Sequence, residues 1–547
     1  MGVPERNDSG VANTVGGNGP NLNRVRVVGL AFWSAIVVWQ SLWWFQEQGV
    51  ASAGLVVVGG ILGINVFLRR KVLAAYPLSS SMMLGFTSYY FVLPPIVTLL
   101  EGKPLTNNLD NPILVFLHAV ICLLCLVSAH AIYRRWNLLQ KLRWFVAERI
   151  YRPFGFFRSP SNLHLLAMGG VGLLAIGVQV FIAGAAQRDV LGVGNKFMQA
   201  LYPLVYLPFC MIVRAAMGDD NRTGRNWLFI LAGYSVLLVM LSVGRNSRAA
   251  FLAGAMSVGL VYIYGSLVGL FRAHVLRVRT LLVAIVGFAL VAGPISDLAV
   301  SMVIVRGSRA EISASELILE TIQTFQDKLA IQERLLSDLE TRAGWDERYV
   351  DSLFMSRLAN LKYADNSITL ASGMGDGQRS YVRELEFQRV LSVFPRPLIE
   401  GLGLPVDKDF VGAASGGDLM LYAATGNRYV LGGFRTGSIF GSGYALFQWW
   451  YPLLMVLPGL VIFALADSLT TRGISRSESG WVPVFSPMAI IGFFTWFFYL
   501  TSAATGTDSF SGLAQYILRG WMQVLVVYVF AYTSTYAMLR PFVRLLR

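Results

Sequence analysis

The chain has 547 residues, of which 55% are hydrophobic and 14% charged, and its formal net charge is +14. A sequence this apolar over this length is excluded as a soluble enzyme and is too long for a simple membrane anchor. Of its 45 basic and 31 acidic residues, 15 and 18 fall between positions 306 and 440, leaving 30 basic against 13 acidic elsewhere; that surplus is topological and carries no nucleic-acid signal.

In chain order, residues 1–23 are rich in Gly, Asn, Ser and Val, without a basic n-region or a cleavage site, and read as a disordered cytoplasmic tail. Twelve mostly apolar stretches follow, at about 27–46, 50–68, 78–100, 112–132, 163–185, 198–217, 226–243, 249–270, 280–304, 441–466, 483–503 and 515–538. Each can cross a hydrocarbon core of about 30 Å. Lys and Arg fill every second gap: Arg24 and Arg26, Arg69 to Lys71, Arg134 to Arg158, Arg222 and Arg225, Arg272 to Arg279, Arg472 and Arg476, and Arg540 to Arg547. The positive-inside rule makes those gaps cytoplasmic. The expected fold is therefore an all-α polytopic membrane protein with about 12 transmembrane helices, both termini cytoplasmic and one large, mainly helical periplasmic loop. Its parts are the tail 1–23, a bundle 24–305 with helices one to nine, the loop 306–440, and helices ten to twelve with a short tail in 441–547.

Within the spans, Trp33, Trp39, Trp43, Trp44, Trp449, Trp450, Tyr451, Trp481, Trp496 and Trp521 fall mainly near segment ends and read as interface anchors. Glycines such as Gly59, Gly60 and Gly63, or Gly169, Gly170 and Gly172, read as close helix contacts. Cys122, Cys125 and Cys210 all lie in spans, so no disulfide framework supports the loop, and Cys122-x-x-Cys125 reads as packing. No internal repeat of the kind found in secondary transporters is evident, and Asp297 is the main charge within the spans.

The loop itself is organised. Ser313 and Glu316 form a capping box ahead of apolar residues at helical spacing up to about Thr341. A second helix is expected within Leu353 to Leu370, then the turn Gly373 to Gly377, then a helix from Tyr381 to Phe394 ended by Pro395, Pro397 and Pro405. The glycine-rich run Gly412 to Gly443 leads back to the membrane and can bring bare backbone close to a ligand.

Three groups of residues could carry chemistry. Arg245 and Arg248 occupy an outer hairpin barely five residues long, where the charge rule gives no reason for them. Paired guanidinium groups there suit a diphosphate, because the planar fork donates paired hydrogen bonds to phosphate oxygens; the competing reading is snorkelling to lipid phosphates. Arg306 and Arg309 where the loop leaves the membrane, and Arg428 and Arg435 where it returns, could converge with them. Arg379, Arg383, Arg389 and Arg396 lie in the loop's middle. Asp365, Asp376, Glu384 and Asp418 sit in unusual local settings and are candidates for a general base; ordinary surface solvation is the alternative for each. No histidine lies between 306 and 440, so a histidine base or histidine metal site in the loop is excluded, and P-loop, GxSxG and HExxH motifs are absent.

The span layout, the large late loop, the motif Leu241-Ser242-Val243-Gly244-Arg245-Asn246-Ser247-Arg248 and the return Arg435-Thr436-Gly437-Ser438-Ile439-Phe440-Gly441 together resemble the Wzy-type O-antigen or exopolysaccharide repeat-unit polymerases. That family is similar to the metal-independent GT-C-like glycosyltransferases of the bacterial inner membrane. The resemblance implies polymerisation of oligosaccharide units carried on undecaprenyl diphosphate, with Arg245, Arg248 and Arg435 holding the donor diphosphate. It implies no metal and no cofactor, since the energy arrives in the lipid-linked diphosphate. Expected partners are that substrate, membrane lipids, a co-polymerase that regulates chain length and a flippase, with no nucleic acid. O-antigen ligases share the layout and typically use a periplasmic histidine, so a ligase-like transferase is one alternative and a transporter or flippase of lipid-linked oligosaccharide another.

Overall fold

A computed structural model of the chain describes residues 22–181, 193–219, 221, 223–245, 247–271, 294, 297, 298, 300–302, 304, 305, 314–331, 333, 345–352, 355–474, 481–502 and 508–545. The fold is all-helical apart from one hairpin among these residues. Eight helices are long and apolar enough to cross a membrane: Leu22–Trp43, Glu47–Phe67, Pro77–Leu100, Pro112–Arg135, Asn162–Phe181, Phe197–Met217, Arg225–Gly244 and Phe510–Arg540. A ninth is formed if Ile439–Leu454 and Val456–Asp467, which meet at a 60° bend, count as one crossing. A shorter apolar helix covers Leu252–Val268.

These elements agree with eight of the expected spans to within a few residues, because long runs of Val, Leu and Ile satisfy their backbone only as helix in an apolar medium. Three expectations change. The stretch 483–503 is no continuous helix: Trp481–Phe485 is a strand, followed by the short helices Pro487–Ile491 and Phe493–Phe497. Pro483 and Pro487 lack the amide protons an α-helix interior needs, and Gly492 interrupts the remainder. The strand pairs antiparallel with Thr470–Ile474, Thr470 opposite Phe485 and Ile474 opposite Trp481, so the expected loop around Arg472 is half of a hairpin. The stretch 441–466 is bent rather than straight. Most of 280–304, and residues 1–21 of the expected tail, lie outside the described residues; Leu22 and Asn23 already belong to the first helix.

Two further readings are corrected. Trp33 and Trp496, both 6% exposed, and the fully buried Tyr451 belong to the core rather than to an interface belt. Trp33 donates to the Val92 carbonyl at 3.2 Å and covers Gly60, where a Cβ would overlap its ring. Asp297 is not a lone charge, since Lys328 binds it at 2.6 Å. The packing glycines behave as expected at Gly59, Gly63, Gly169 and Gly172, whereas Gly170 faces open space.

The bundle has two chemically different ends. At one, Arg70 donates to the Val268 carbonyl, Arg143 to the Ala75 carbonyl, and Arg214 pairs with Asp219. There the buried Asp467 accepts the amides of Leu78 and Ser79 at 2.9 and 3.0 Å, the Ser79 hydroxyl at 2.6 Å and the Tyr133 hydroxyl at 3.1 Å. The Ser79 proton goes to Asp467, so the 3.0 Å contact from His130 must be an Nε2–H donating to Ser79.

At the other end sits a helical cap. Its helices are Ala314–Gln326, Met355–Leu358, Lys362–Gly373, Asp376–Leu391, Arg396–Gly401, Lys408–Ala413 and Gly416–Thr425. Ser313 and 334–344 of the expected first cap helix lie outside the described residues, and the helix stops at Gln326. The two helices flanking the Gly373–Gly377 turn form near the expected places, and the segment expected to be irregular after Pro395 contains short helices. A small apolar core of Ala371, Met374, Val382, Leu385, Val411, Leu419 and Met420 includes Ala445 and Leu446 of the returning helix Ile439–Phe447. The cap is therefore continuous with the bundle.

Gly85 marks the tightest approach inside the bundle, since a Cβ there would overlap the Phe497 carbonyl. The clash is with backbone, which cannot swing away. Gly85→Ala is expected to destabilise the fold by about 3 kcal/mol, read as a lower melting temperature in detergent; an unchanged melt would count against this contact.

Candidate functional site

The cap end gathers three arrangements. The first ties the glycine-rich return together. Ser415 caps the helix Gly416–Thr425, its hydroxyl accepting the Asp418 amide at 3.2 Å. That turn holds the Asp418 carboxylate fully buried, where it accepts the Phe434 amide at 2.8 Å, the Arg435 amide at 3.2 Å and an Arg435 guanidinium nitrogen at 3.1 Å. The same nitrogen also donates to the Val430 carbonyl at 2.6 Å. Phe434, with φ of 53°, adopts a left-handed conformation that turns two successive amides toward the carboxylate. Glycine is required alongside, because a Cβ at Gly433 would overlap the Arg435 guanidinium and one at Gly417 would come within 2.5 Å of the Arg435 carbonyl. Asp418, read as a candidate base, is thus a ligand of Arg435, and the remaining guanidinium nitrogens of Arg435 bond nothing among the described residues.

Beside this knot, Asp508 accepts the Gly416 amide at 2.5 Å and faces Arg389 at 3.5 Å, while Arg389 also donates to the Ser509 hydroxyl at 3.0 Å. Glu386 is buried and accepts the Ser511 amide at 3.0 Å. The helix Asp376–Leu391 thereby pins the start of the final span. Asp508 and Ser509 were missed by the sequence reading. The available signal was the small polar run Thr505-Gly506-Thr507-Asp508-Ser509 directly ahead of an apolar helix.

The second arrangement is a cavity of about 370 Å³ in the cap, walled by Trp345, Asp110, Asn366, Thr369, Gln378 and Thr425 among others. Its polar walls are fixed by hydrogen bonds: Asn366 to the Asp346 carbonyl at 2.5 Å, Asn111 to Thr369 at 2.9 Å, Gln378 to the Ala424 carbonyl at 2.5 Å, and Trp345 to Glu347 at 3.1 Å. Behind it Asp365, fully buried, accepts the amides of Asp110 and Asn111, both at 2.8 Å, and Lys362 at 2.8 Å. Burial alone would lower the Lys362 pKa, but hydrogen bonds to Asp110 and Asp365 outweigh it and hold the ammonium above its usual value. Asp365 is a clamp between cap and bundle, with both carboxylate oxygens engaged by the chain itself. Asp376 is exposed at the start of its helix, two residues from the cavity-lining Met374 and Gln378, and Glu384 is exposed and accepts from Gln388 at 3.2 Å.

The third arrangement is the hairpin. Arg245 ends the helix Arg225–Gly244 with its guanidinium 4.1 Å over the Tyr202 ring, and burial lowers its pKa. No carboxylate pairs with it among the described residues. Arg248 opens the next helix, and its side chain, together with Arg306 and Arg309, lies outside the described residues. Arg428 is exposed and hydrogen-bonds Tyr422, lowering that phenol's pKa. The structure therefore joins Asp418 to Arg435 and leaves Asp365, Asp376, Glu384, Arg245 and Arg428 at separate points of the cap end.

No protein-family model matches the chain, and no curated protein and no solved structure matches it.

Proposed function

We propose that the chain is a repeat-unit polymerase of the bacterial inner membrane, joining undecaprenyl-diphosphate-linked oligosaccharides into O-antigen or exopolysaccharide. In this reading the bundle crosses the membrane about 12 times with both termini cytoplasmic, the cap is periplasmic, and a chain-length regulator and a flippase work beside it. The supporting observation is a cavity in the cap that sets amides, hydroxyls and an indole beside apolar walls of Leu370, Met374 and Leu421, on the same end of the bundle as two arginines with unused donors, Arg245 and Arg435. A ring of planar amides, hydroxyls and one aromatic face suits a glycan, and guanidinium groups suit a departing diphosphate.

The chemistry follows from which groups are free. A hydroxyl of the acceptor glycan attacks the donor's anomeric carbon as the bond from that carbon to the diphosphate oxygen breaks. The electron pair leaves with the lipid diphosphate, whose growing charge Arg435 meets, held in place by Asp418. The acceptor's proton passes to a carboxylate, and Asp376, exposed two residues from the cavity wall, takes this role in preference to Asp365 and Asp418, which are fully buried and held by the chain itself.

Purified protein in nanodiscs, given lipid-linked repeat units from its own host, should yield a product ladder on a gel. Asp376→Asn should slow it about 100-fold, and Arg245→Ala should shorten it, with both variants folded. No ladder from folded protein with verified substrate would sink the polymerase reading and favour a ligase or translocator.

A further inference from the structure

The final membrane-crossing helix carries a charge that the sequence reading passed over. Arg519 lies nine residues beyond Phe510, which at 1.5 Å per residue is about 13 Å along the helix from the cap end. Its side chain is exposed, and an arginine near the outer end of an apolar crossing reaches for phosphate or another anionic group at that level. Arg519 has no hydrogen-bond or ion-pair partner among the described residues.

Its surroundings are built rather than incidental. The helix widens to a π-turn over Tyr516–Gly520, a local distortion often found at functional sites. A cavity of about 300 Å³ opens there, lined by Gln515, Tyr516, Arg519 and Gln523 of this helix, with Tyr499 and Val393. Gln515, Arg519 and Gln523 recur every four residues, so they share one helical face. Met522, Val526 and Phe530 continue that face and are 44%, 59% and 42% exposed, as side chains against lipid are. Tyr516 is only 9% exposed, and its hydroxyl is buried without a hydrogen-bond partner. The cavity thus combines one unpaired cation and two amides, between the cap residue Val393 and an exposed apolar helical face.

We propose that this cavity binds the phosphate of a membrane-embedded lipid from the side, Arg519 supplying the charge, Gln515 and Gln523 donating amide hydrogens, and the apolar stripe below following the lipid chain. The shared chemistry is a phosphate ester on a long apolar chain, whether from a glycerophospholipid headgroup or a polyprenyl diphosphate. The inference requires only that the chain crosses a membrane and does not rest on glycosyl transfer.

The test is lipid retention by the full-length protein in detergent, read by native mass spectrometry after titration with phosphatidylglycerol, phosphatidylcholine or undecaprenyl diphosphate. Wild-type protein should hold an anionic lipid about tenfold better than phosphatidylcholine, and Arg519→Gln should remove that preference. Arg519→Lys should keep part of it, and the pair Gln515→Leu with Gln523→Leu should weaken retention about threefold. Preference for undecaprenyl diphosphate identifies a carrier lipid, and equal retention of phosphatidylglycerol identifies a phospholipid headgroup; either supports the site. Unchanged retention in Arg519→Gln, or in the double glutamine variant, overturns it, the latter because a loosely snorkelling arginine would need no amides. A product ladder plays no part in this measurement, so failure of the polymerase reading and failure of the lipid site are told apart.

Discussion

Asp418→Ala is expected to loosen the glycine-rich return and to abolish any activity that depends on Arg435. The carboxylate is fully buried and serves three donors from Phe434 and Arg435, so its loss strands two amides and a guanidinium together. Removing one member of such a pair costs about 3 kcal/mol. Arg435→Ala should cost less, because the guanidinium side chain is 28% exposed and the two amide bonds to Asp418 survive. The double variant should be no less stable than Asp418→Ala alone, a coupling of about 1–3 kcal/mol in a double-mutant cycle. Melting temperatures of the four proteins in one detergent decide it. Additive losses would mean that Asp418 does not act through Arg435.

Asp467→Ala is expected to be the more damaging change for folding. Asp467 is fully buried at the end opposite the cap and accepts four hydrogen bonds, two of them from the first amides of the helix Pro77–Thr87. A negative charge there also meets the positive end of the helix dipole. Its removal should cost about 4 kcal/mol and free the Ser79 hydroxyl that His130 addresses. Asp467→Asn should recover part of the loss, since one oxygen can still accept from an amide. A melt in which the alanine and asparagine variants are equally stable and close to wild type would show that the helix start needs no acceptor.

How much of this was legible in the residues depended on range. The helices Glu47–Phe67 and Pro112–Arg135 could be read directly, because their apolar runs have one stable solution in lipid. The strand Trp481–Phe485 could not, since a window of mean hydropathy averages across Pro483 and Pro487 and cannot see where the backbone must break. Asp365 and Asp418 stood out in the sequence by an odd local setting, but the setting does not say whether a ligand or the chain itself fills the carboxylate. The answer for Asp365 lies 255 positions away at the Asp110 amide, and for Asp467 at Ser79, 388 positions away. Asp508 was passed over because a loop of small polar residues between two apolar stretches resembles an ordinary linker. Arg519 was passed over because one arginine near the start of a long apolar run lowers its average very little.

The bent crossing from Ile439 to Asp467 has a mechanical meaning. Its upper arm contributes Ala445 and Leu446 to the cap's apolar core, and its lower arm ends on the carboxylate that anchors Pro77–Thr87. Between them stand Gln448, with a positive φ of 52°, and the 60° turn. The segment is a crank with both ends bolted. Tilting the cap would therefore load that elbow and the buried anchor at the far side of the bundle, as well as the Asp365 clamp to Asp110 and Asn111.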